Sequence, residues 1–171
     1  KKGDESILKF WQKGIEKGKT GEVEVSSWKA NLCTTSDISE ASRGMDLIIE
    51  AVPDKIDLKK SVFRKLEGLA PKEAVLATNT SGLSISEIAT EIQTPWRFVG
   101  LHFFNPVPLM PLLEIVKHGE TSEDTIAISK KVGESMGKTT ILVNDVPGFA
   151  TSRLGVVLGN EAIRMLAEGV A

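Results

Sequence analysis

The sequence has no tyrosine, one cysteine and two histidines in 171 residues. Without tyrosine, no phenol can serve as a catalytic acid. With Cys33 alone, no internal disulfide can form, which fits a reducing compartment. Charge of neither sign dominates: 21 Lys and Arg stand against 23 Asp and Glu, for a net charge of -2. That balance offers no basic stripe for nucleic acid. No apolar run approaches the ~20 residues that a membrane-spanning helix needs, so no membrane span is expected. What is present, 41% hydrophobic and 26% charged residues, suits one compact soluble domain with a sizeable core. The chain opens at Lys1 without an initiator methionine and closes at Ala171 inside a helical pattern. It is therefore expected to be a fragment or a trimmed chain, with any targeting peptide upstream.

Periodicity divides the chain into alternating elements. Asp4 to Lys17 and Val23 to Ala30 have helical patterns separated by a Gly-containing loop, and Leu32–Thr35 has the composition of a short strand. Asp46–Val52 is a largely apolar run of the kind buried in a parallel sheet. Leu58, Val62, Phe63, Leu66 and Leu69 then recur at helical spacing. Strands are expected at Ala74–Thr78, Trp96–Phe104, Leu112–Val116 and Thr139–Val143, with helices at Ile85–Ile92, Glu123–Met136 and Leu154–Ala167. Ser84, with Glu87 three positions on, reads as a capping box, and Ser122 as a second N-cap. Strands alternating with helices predict an α/β fold with a mostly parallel sheet and helices on both faces.

In such sheets ligands bind beyond the carboxyl ends of the strands. Polar residues gather there: Glu50 and Asp54 after the first strong strand, Asn79 to Ser81 after the next, His102 to Asn105 at the third. His102 lies in an otherwise apolar run that continues to Glu114, twelve residues on. Imidazole titrates closest to neutrality, and a carboxylate on its far nitrogen would fix the tautomer and stabilise the imidazolium. Spacing alone leaves a second reading open, because a histidine on an apolar strand is more often a satisfied core residue. Ser81, Asn79 and Asp54 have equally ordinary readings as turn and cap residues.

Five blocks change that balance: Asp46-Leu-Ile-Ile-Glu-Ala-Val-Pro-Asp54, Thr78-Asn-Thr-Ser-Gly-Leu83, Gly100-Leu-His-Phe-Phe-Asn-Pro-Val-Pro-Leu-Met110, Leu113-Glu-Ile-Val116 and Asp145-Val-Pro-Gly-Phe149. In this order and spacing they resemble the 3-hydroxyacyl-CoA dehydrogenases, from about Leu32 to the C-terminus. The resemblance implies NAD-dependent oxidation of an L-3-hydroxyacyl-CoA to a 3-ketoacyl-CoA, in β-oxidation or butanoyl-CoA metabolism. It implies His102 as the base, Glu114 as its orienting partner, and Ser81 beside the substrate oxygen and the nicotinamide. It places Ala51, Asp54, Lys59, Ser81 and Asn105 at the cofactor. Ser81, Asn105, Ser152 and Lys17 fall on the substrate side, with Lys13 and Lys19 as further candidates for the CoA phosphates. No metal is implied.

The resemblance also implies a Rossmann-like domain over residues 1–145, with a helical arm near 4–31. Residues 146–171 would begin an all-α domain through which the parent forms a homodimer. Three departures accompany it, one being that this helical domain would be cut off just after its first helix begins. Ser152 stands where many members carry asparagine. The strand, G-x-G-x-x-G turn and helix that hold the pyrophosphate are not found, since Gly14, Gly18 and Gly21 lack that spacing. The sheet is thus expected to be incomplete at its N-terminus, and the chain by itself weakly active or inactive. A cytoplasmic setting is expected in a bacterium, and a mitochondrial or peroxisomal one in a eukaryote. Two alternatives stay open: a dehydrogenase of a free 3-hydroxy acid, and a non-catalytic remnant of the same fold.

Overall fold

The computed structural model describes residues 2–170. It divides into two compact units, Lys1–Ala41 and Ser42–Ala171.

The first unit is helical. Helix α1 (Lys2–Glu16) and helix α2 (Glu22–Ala30) bring Trp11 and Trp28 together at a ring-centroid distance of 5.7 Å, and Val25 is buried. The Glu24 carboxylate accepts from the Gly21 N–H at 2.8 Å and so satisfies one of the donors left over at the start of α2. The strand expected at Leu32–Thr35 is not formed. Its hydroxyls are engaged by side chains instead, Thr34 on Asp4 and Thr35 on Glu40. A short helix α3 (Ile38–Ser42) follows, its start marked by Asp37 accepting from the Ser39 N–H.

The second unit is built on a five-stranded sheet of order β1-β2-β3-β4-β5. Its strands are β1 (Leu47–Glu50), β2 (Val75–Thr78), β3 (Phe98–Phe103), β4 (Leu112–Lys117) and β5 (Thr139–Asn144). Every pairing is parallel except β3 with β4. The eight residues between Phe103 and Leu112 are too few for a parallel crossover, so the chain must turn back on itself there. That reversal sets His102 directly opposite Glu114 in the ladder.

Alternation along the strands separates two cores. Leu76, Phe98 and Val116 face α4 (Ile56–Leu69) and α5 (Ile85–Ala89), packing with Phe63, Leu66, Ile85 and Ile88. Val75, Ala77, Val99, Leu101, Leu113 and Ile115 form the other core. There α6 (Glu123–Ser135) lies so close that a Cβ on Gly133 would come within 2.9 Å of Leu113. Helices therefore do cover both faces. Gly100 plays the matching part on the first face, since a Cβ there would meet Ile85 at 2.8 Å and Val116 at 2.9 Å. His102 and Glu114 alternate with Leu101, Leu113 and Ile115, and so share the face of Ile85 and Val116.

Other boundaries differ from expectation for local reasons. Trp96 lies in a 3-10 turn (Pro95–Arg97) rather than in β3, because Pro95 favours a turn start and offers no ladder donor. Helix α5 stops at Ala89, with the Thr90 hydroxyl donating to the Glu87 carbonyl. Ser84 caps it as expected, but the Glu87 carboxylate reaches Lys60. Ser122 caps α6 in the same way. Helix α7 (Thr151–Ala167) begins three residues before Leu154 and leaves Leu154, Val157, Leu158, Ile163 and Leu166 exposed. Among the described residues no helix is long and apolar enough to cross a membrane.

Candidate active site

His102, the penultimate residue of β3, is almost buried, and its Nδ1 lies 2.6 Å from Glu114 Oε2. Glu114 is wholly buried in mid-strand, where an unpaired carboxylate would be costly. It is not unpaired. Oε1 accepts from the backbone N–H groups of Ala150 at 3.1 Å and Thr151 at 3.0 Å, and Oε2 from the Thr151 hydroxyl at 2.9 Å. These donors form the first turn of α7, whose N-terminal dipole also favours an anion. Burial pushes the Glu114 carboxyl up, but the bonds from His102, Thr151 and Ala150 outweigh it and hold the group below the usual carboxylate range. Glu114 is therefore an anion at neutral pH. An anionic acceptor requires the proton of neutral His102 to sit on Nδ1, which leaves Nε2 with its lone pair.

The turn that delivers α7 to Glu114 is unusual. Gly148 and Phe149 both have positive φ, 75° and 49°. A Cβ on Gly148 would meet the Arg153 backbone nitrogen at 3.0 Å, so glycine is needed there. Phe149 is buried, and its ring packs on His102 at 5.9 Å between centroids, with Phe104 at 4.5 Å. Asp145, just before this turn, accepts from the Ser84 hydroxyl and from Ile85 and Ser86, which ties the turn to the start of α5. Burial raises its pKa, and the four bonds, led by the Ser86 hydroxyl, bring it below the usual value.

A second buried cluster stands under the ends of β1 and β2. The Lys59 ammonium, 0% exposed, meets Glu50 at 2.9 and 3.1 Å, the Asn79 carbonyl at 2.9 Å and the Val52 carbonyl at 3.2 Å. Asp54 Oδ1 lies 3.3 Å away. Glu50 also accepts from the Thr78 hydroxyl and the Val52 N–H. Asp54, half-exposed at the rim, receives the Thr80 hydroxyl and the Ser81 N–H. Asn79 Oδ1 accepts from the Phe103 N–H and so joins this cluster to β3.

A cleft of about 430 Å³ is lined by Asn79, Ser81, His102, Phe103, Phe104, Asn105, Thr151 and Ser152. It gathers Ser81, His102, Asn105 and Ser152, with Glu114 directly behind His102. Asp54 and Ala51 are exposed beyond β1. Lys59 does not reach the surface. Its ammonium meets Glu50, Asp54 and two carbonyls, because a charge so deeply buried must be paired. Lys17, with Lys13 and Lys19, is exposed in the helical first unit. Sequence reasoning missed Thr151, Asn79 as a strand tie, and Glu50 as the partner of Lys59. For Thr151 the available signal was the Pro147-Gly148 break, after which a helix can start. A larger hollow of about 510 Å³, near the amino ends of β2 and β3, contains none of these residues.

Residues 1–146 match the family model described as 3-hydroxyacyl-CoA dehydrogenase, NAD binding domain. The chain belongs to the 3-hydroxyacyl-CoA dehydrogenase family. It is 41% identical over 160 residues to a probable 3-hydroxyacyl-CoA dehydrogenase of Caenorhabditis elegans, covering 94% of this chain and 53% of that protein. It is 39% identical over 169 residues to a probable 3-hydroxybutyryl-CoA dehydrogenase of Bacillus subtilis, covering 99% of this chain and 58% of that one. The crystal structure of (S)-3-hydroxybutyryl-CoA dehydrogenase from Ralstonia eutropha superposes with a TM-score of 0.95 at 32% identity, over 99% of this chain and 60% of that structure's. The chain thus spans little more than half the length of these relatives, and its sheet is the Rossmann-like sheet of this dehydrogenase family.

The family's cofactor is NAD. At the strand ends Asp54 and Ser81 are linked, and Ser81 and Asn105 both line the cleft. The chain does not supply the pyrophosphate end, since no G-x-G-x-x-G turn stands among these residues.

Proposed function

We propose that the whole protein is an L-3-hydroxyacyl-CoA dehydrogenase in which His102 Nε2 takes the proton of the substrate's 3-hydroxyl. NAD, when bound, would supply the acceptor for the hydride of C3. As that hydride leaves, the C3–O bond becomes a carbonyl and the hydroxyl proton passes to Nε2. The observation that carries this reading is the 2.6 Å contact between His102 Nδ1 and a carboxylate held ionised by α7. Glu114 fixes the ring and stabilises the imidazolium as it forms. Ser81 and Asn105, both lining the cleft, are the donors proposed for the oxygen whose charge changes. Phe103, Phe104 and the buried Phe149 limit water around the ring.

Ala51 and Asp54 are assigned to the cofactor rim, Ser152 to the acyl side and Lys17 to the CoA phosphates. Lys59 supports the rim from beneath. Residues 146–171 are assigned to the start of a helical domain that forms a homodimer, a reading supported by the apolar side chains exposed on α7. The 171 residues alone are proposed to bind NAD weakly, because three missing charge-assisted bonds to the pyrophosphate, each about 1.5–3 kcal/mol, amount to three decades or more in affinity. Micromolar binding of NAD to this chain would refute that part.

The test of the main reading is His102→Ala in the whole protein. A general base contributes about 10²–10⁴-fold, so kcat/KM for a 3-hydroxyacyl-CoA should fall by that factor. Retention of most of the activity would remove His102 from the chemistry and leave the non-catalytic reading. Equal turnover of the free 3-hydroxy acid would instead remove the thioester from the substrate assignment.

A further inference from the structure

We propose that Thr151 is a positioning residue whose hydroxyl sets how firmly Glu114 holds the protonated His102 ring. This rests on the base assignment of His102 and goes beyond it. The two oxygens of Glu114 are used differently. Oε1 takes two backbone N–H groups, which any residue at positions 150 and 151 except proline would provide. Oε2 is shared between His102 Nδ1 at 2.6 Å and the Thr151 hydroxyl at 2.9 Å. The hydroxyl is thus the one contact to Glu114 from α7 that depends on the side chain.

A neutral donor on the shared oxygen withdraws electron density that would otherwise serve the imidazolium. Removing it leaves Oε2 to His102 alone, and the carboxylate becomes the stronger partner for the ring's second proton. The protonated ring is then favoured and Nε2 holds its proton to higher pH. The charges nearest the cleft, Asp54 on Ser81 and the Lys59–Glu50 pair behind Asn79, are the same in every variant. The remaining side chains of the cleft, Asn79, Ser81, Phe103, Phe104, Asn105 and Ser152, are uncharged. On the β5 side, Ile141 stands opposite Glu114. Phe149 and Phe104 supply the rings against His102. The hydroxyl therefore tunes the acid–base balance of the His102–Glu114 pair without touching substrate.

The experiment is a pH titration of the imidazole NMR signals in the wild-type chain, Thr151→Val and Thr151→Ser. The chain has only two histidines, and His118 serves as an internal control. It sits beyond β4, on the Pro95 carbonyl and the Phe98 ring. In Thr151→Val the His102 midpoint should rise by about half a pH unit, in line with the loss of one hydrogen bond to the paired carboxylate. Thr151→Ser should return it to the wild-type value, and His118 should stay in place throughout. Thr151→Ala gives the same reading if the valine variant does not fold. A His102 midpoint unchanged in the hydroxyl-less variant overturns the proposal, as does an equal movement of His118. The titration reads charge rather than turnover, so its outcome is separate from that of the His102→Ala activity assay.

Discussion

Two buried ionic clusters stand at the ends of neighbouring strands, and they differ in what they leave over. Under β1 and β2, the Lys59 ammonium is surrounded by Glu50, Asp54 and two carbonyls, and Glu50 is in turn filled by Thr78 and Val52. Between β3 and β4, Glu114 is equally saturated, but its partner His102 has a second nitrogen beside the cleft. Buried charge is common to both. Chemistry is assigned to the second because one basic atom remains after every internal bond has been made. The first cluster holds the Val52 and Asn79 loops, and through Asn79 the end of β3, in register with it.

Removing one partner from each cluster should separate the two roles. Lys59→Met leaves Glu50 buried without its countercharge and should cost about 3–5 kcal/mol in urea unfolding of the chain. A cost below about 1 kcal/mol would show that Glu50 is solvated or protonated in the fold. His102→Ala should cost less, about 1–2 kcal/mol, because Glu114 keeps three donors from α7. If the order of these two is reversed, the division between a structural and a chemical cluster is wrong.

The smallest effect concerns acid. Glu114 and Asp145 both have pKa values below their ordinary ones in the folded chain. A depressed carboxyl contributes stability above its unfolded pKa and loses it as pH falls through the native value. The contribution is therefore complete at neutral pH and declines from the ordinary carboxylate range, about pH 4, downward. Urea midpoints measured from pH 6 to pH 2.5 should fall over this window. Asp145→Asn should flatten part of the fall, and a slope unchanged in that variant would remove Asp145 from the account.

Much of this arrangement was legible in the residues, and the exceptions have physical causes. The apolar runs ending at Glu50, Thr78 and Phe103 mark strands whose ends carry the polar rim, so Ser81, His102 and Asn105 could be placed together in advance. Periodicity carries no direction, however. That β4 runs against β3 follows only from the short connection between Phe103 and Leu112, and this reversal is what sets Glu114 opposite His102. Helix α3 spans five residues, too few for a helical period to show. Thr34 and Thr35 have strand propensity, yet bond to Asp4 and Glu40 instead of joining a ladder. Thr151 was hidden because the apolar pattern of α7 starts at Leu154, whereas its first turn is defined by donors aimed at Glu114. The resemblance places Lys59 at the cofactor, since nothing in its spacing reveals that it pairs with the Glu50 carboxylate.

The central claim is that an ionised Glu114 fixes the proton of neutral His102 on Nδ1 and leaves Nε2 as the base. Nitrogen-15 NMR of the His102 ring, at a pH where the ring is neutral, measures this directly. The account predicts a protonated Nδ1 and an unprotonated Nε2 in the wild-type chain. A neutral ring carrying its proton on Nε2 would contradict it.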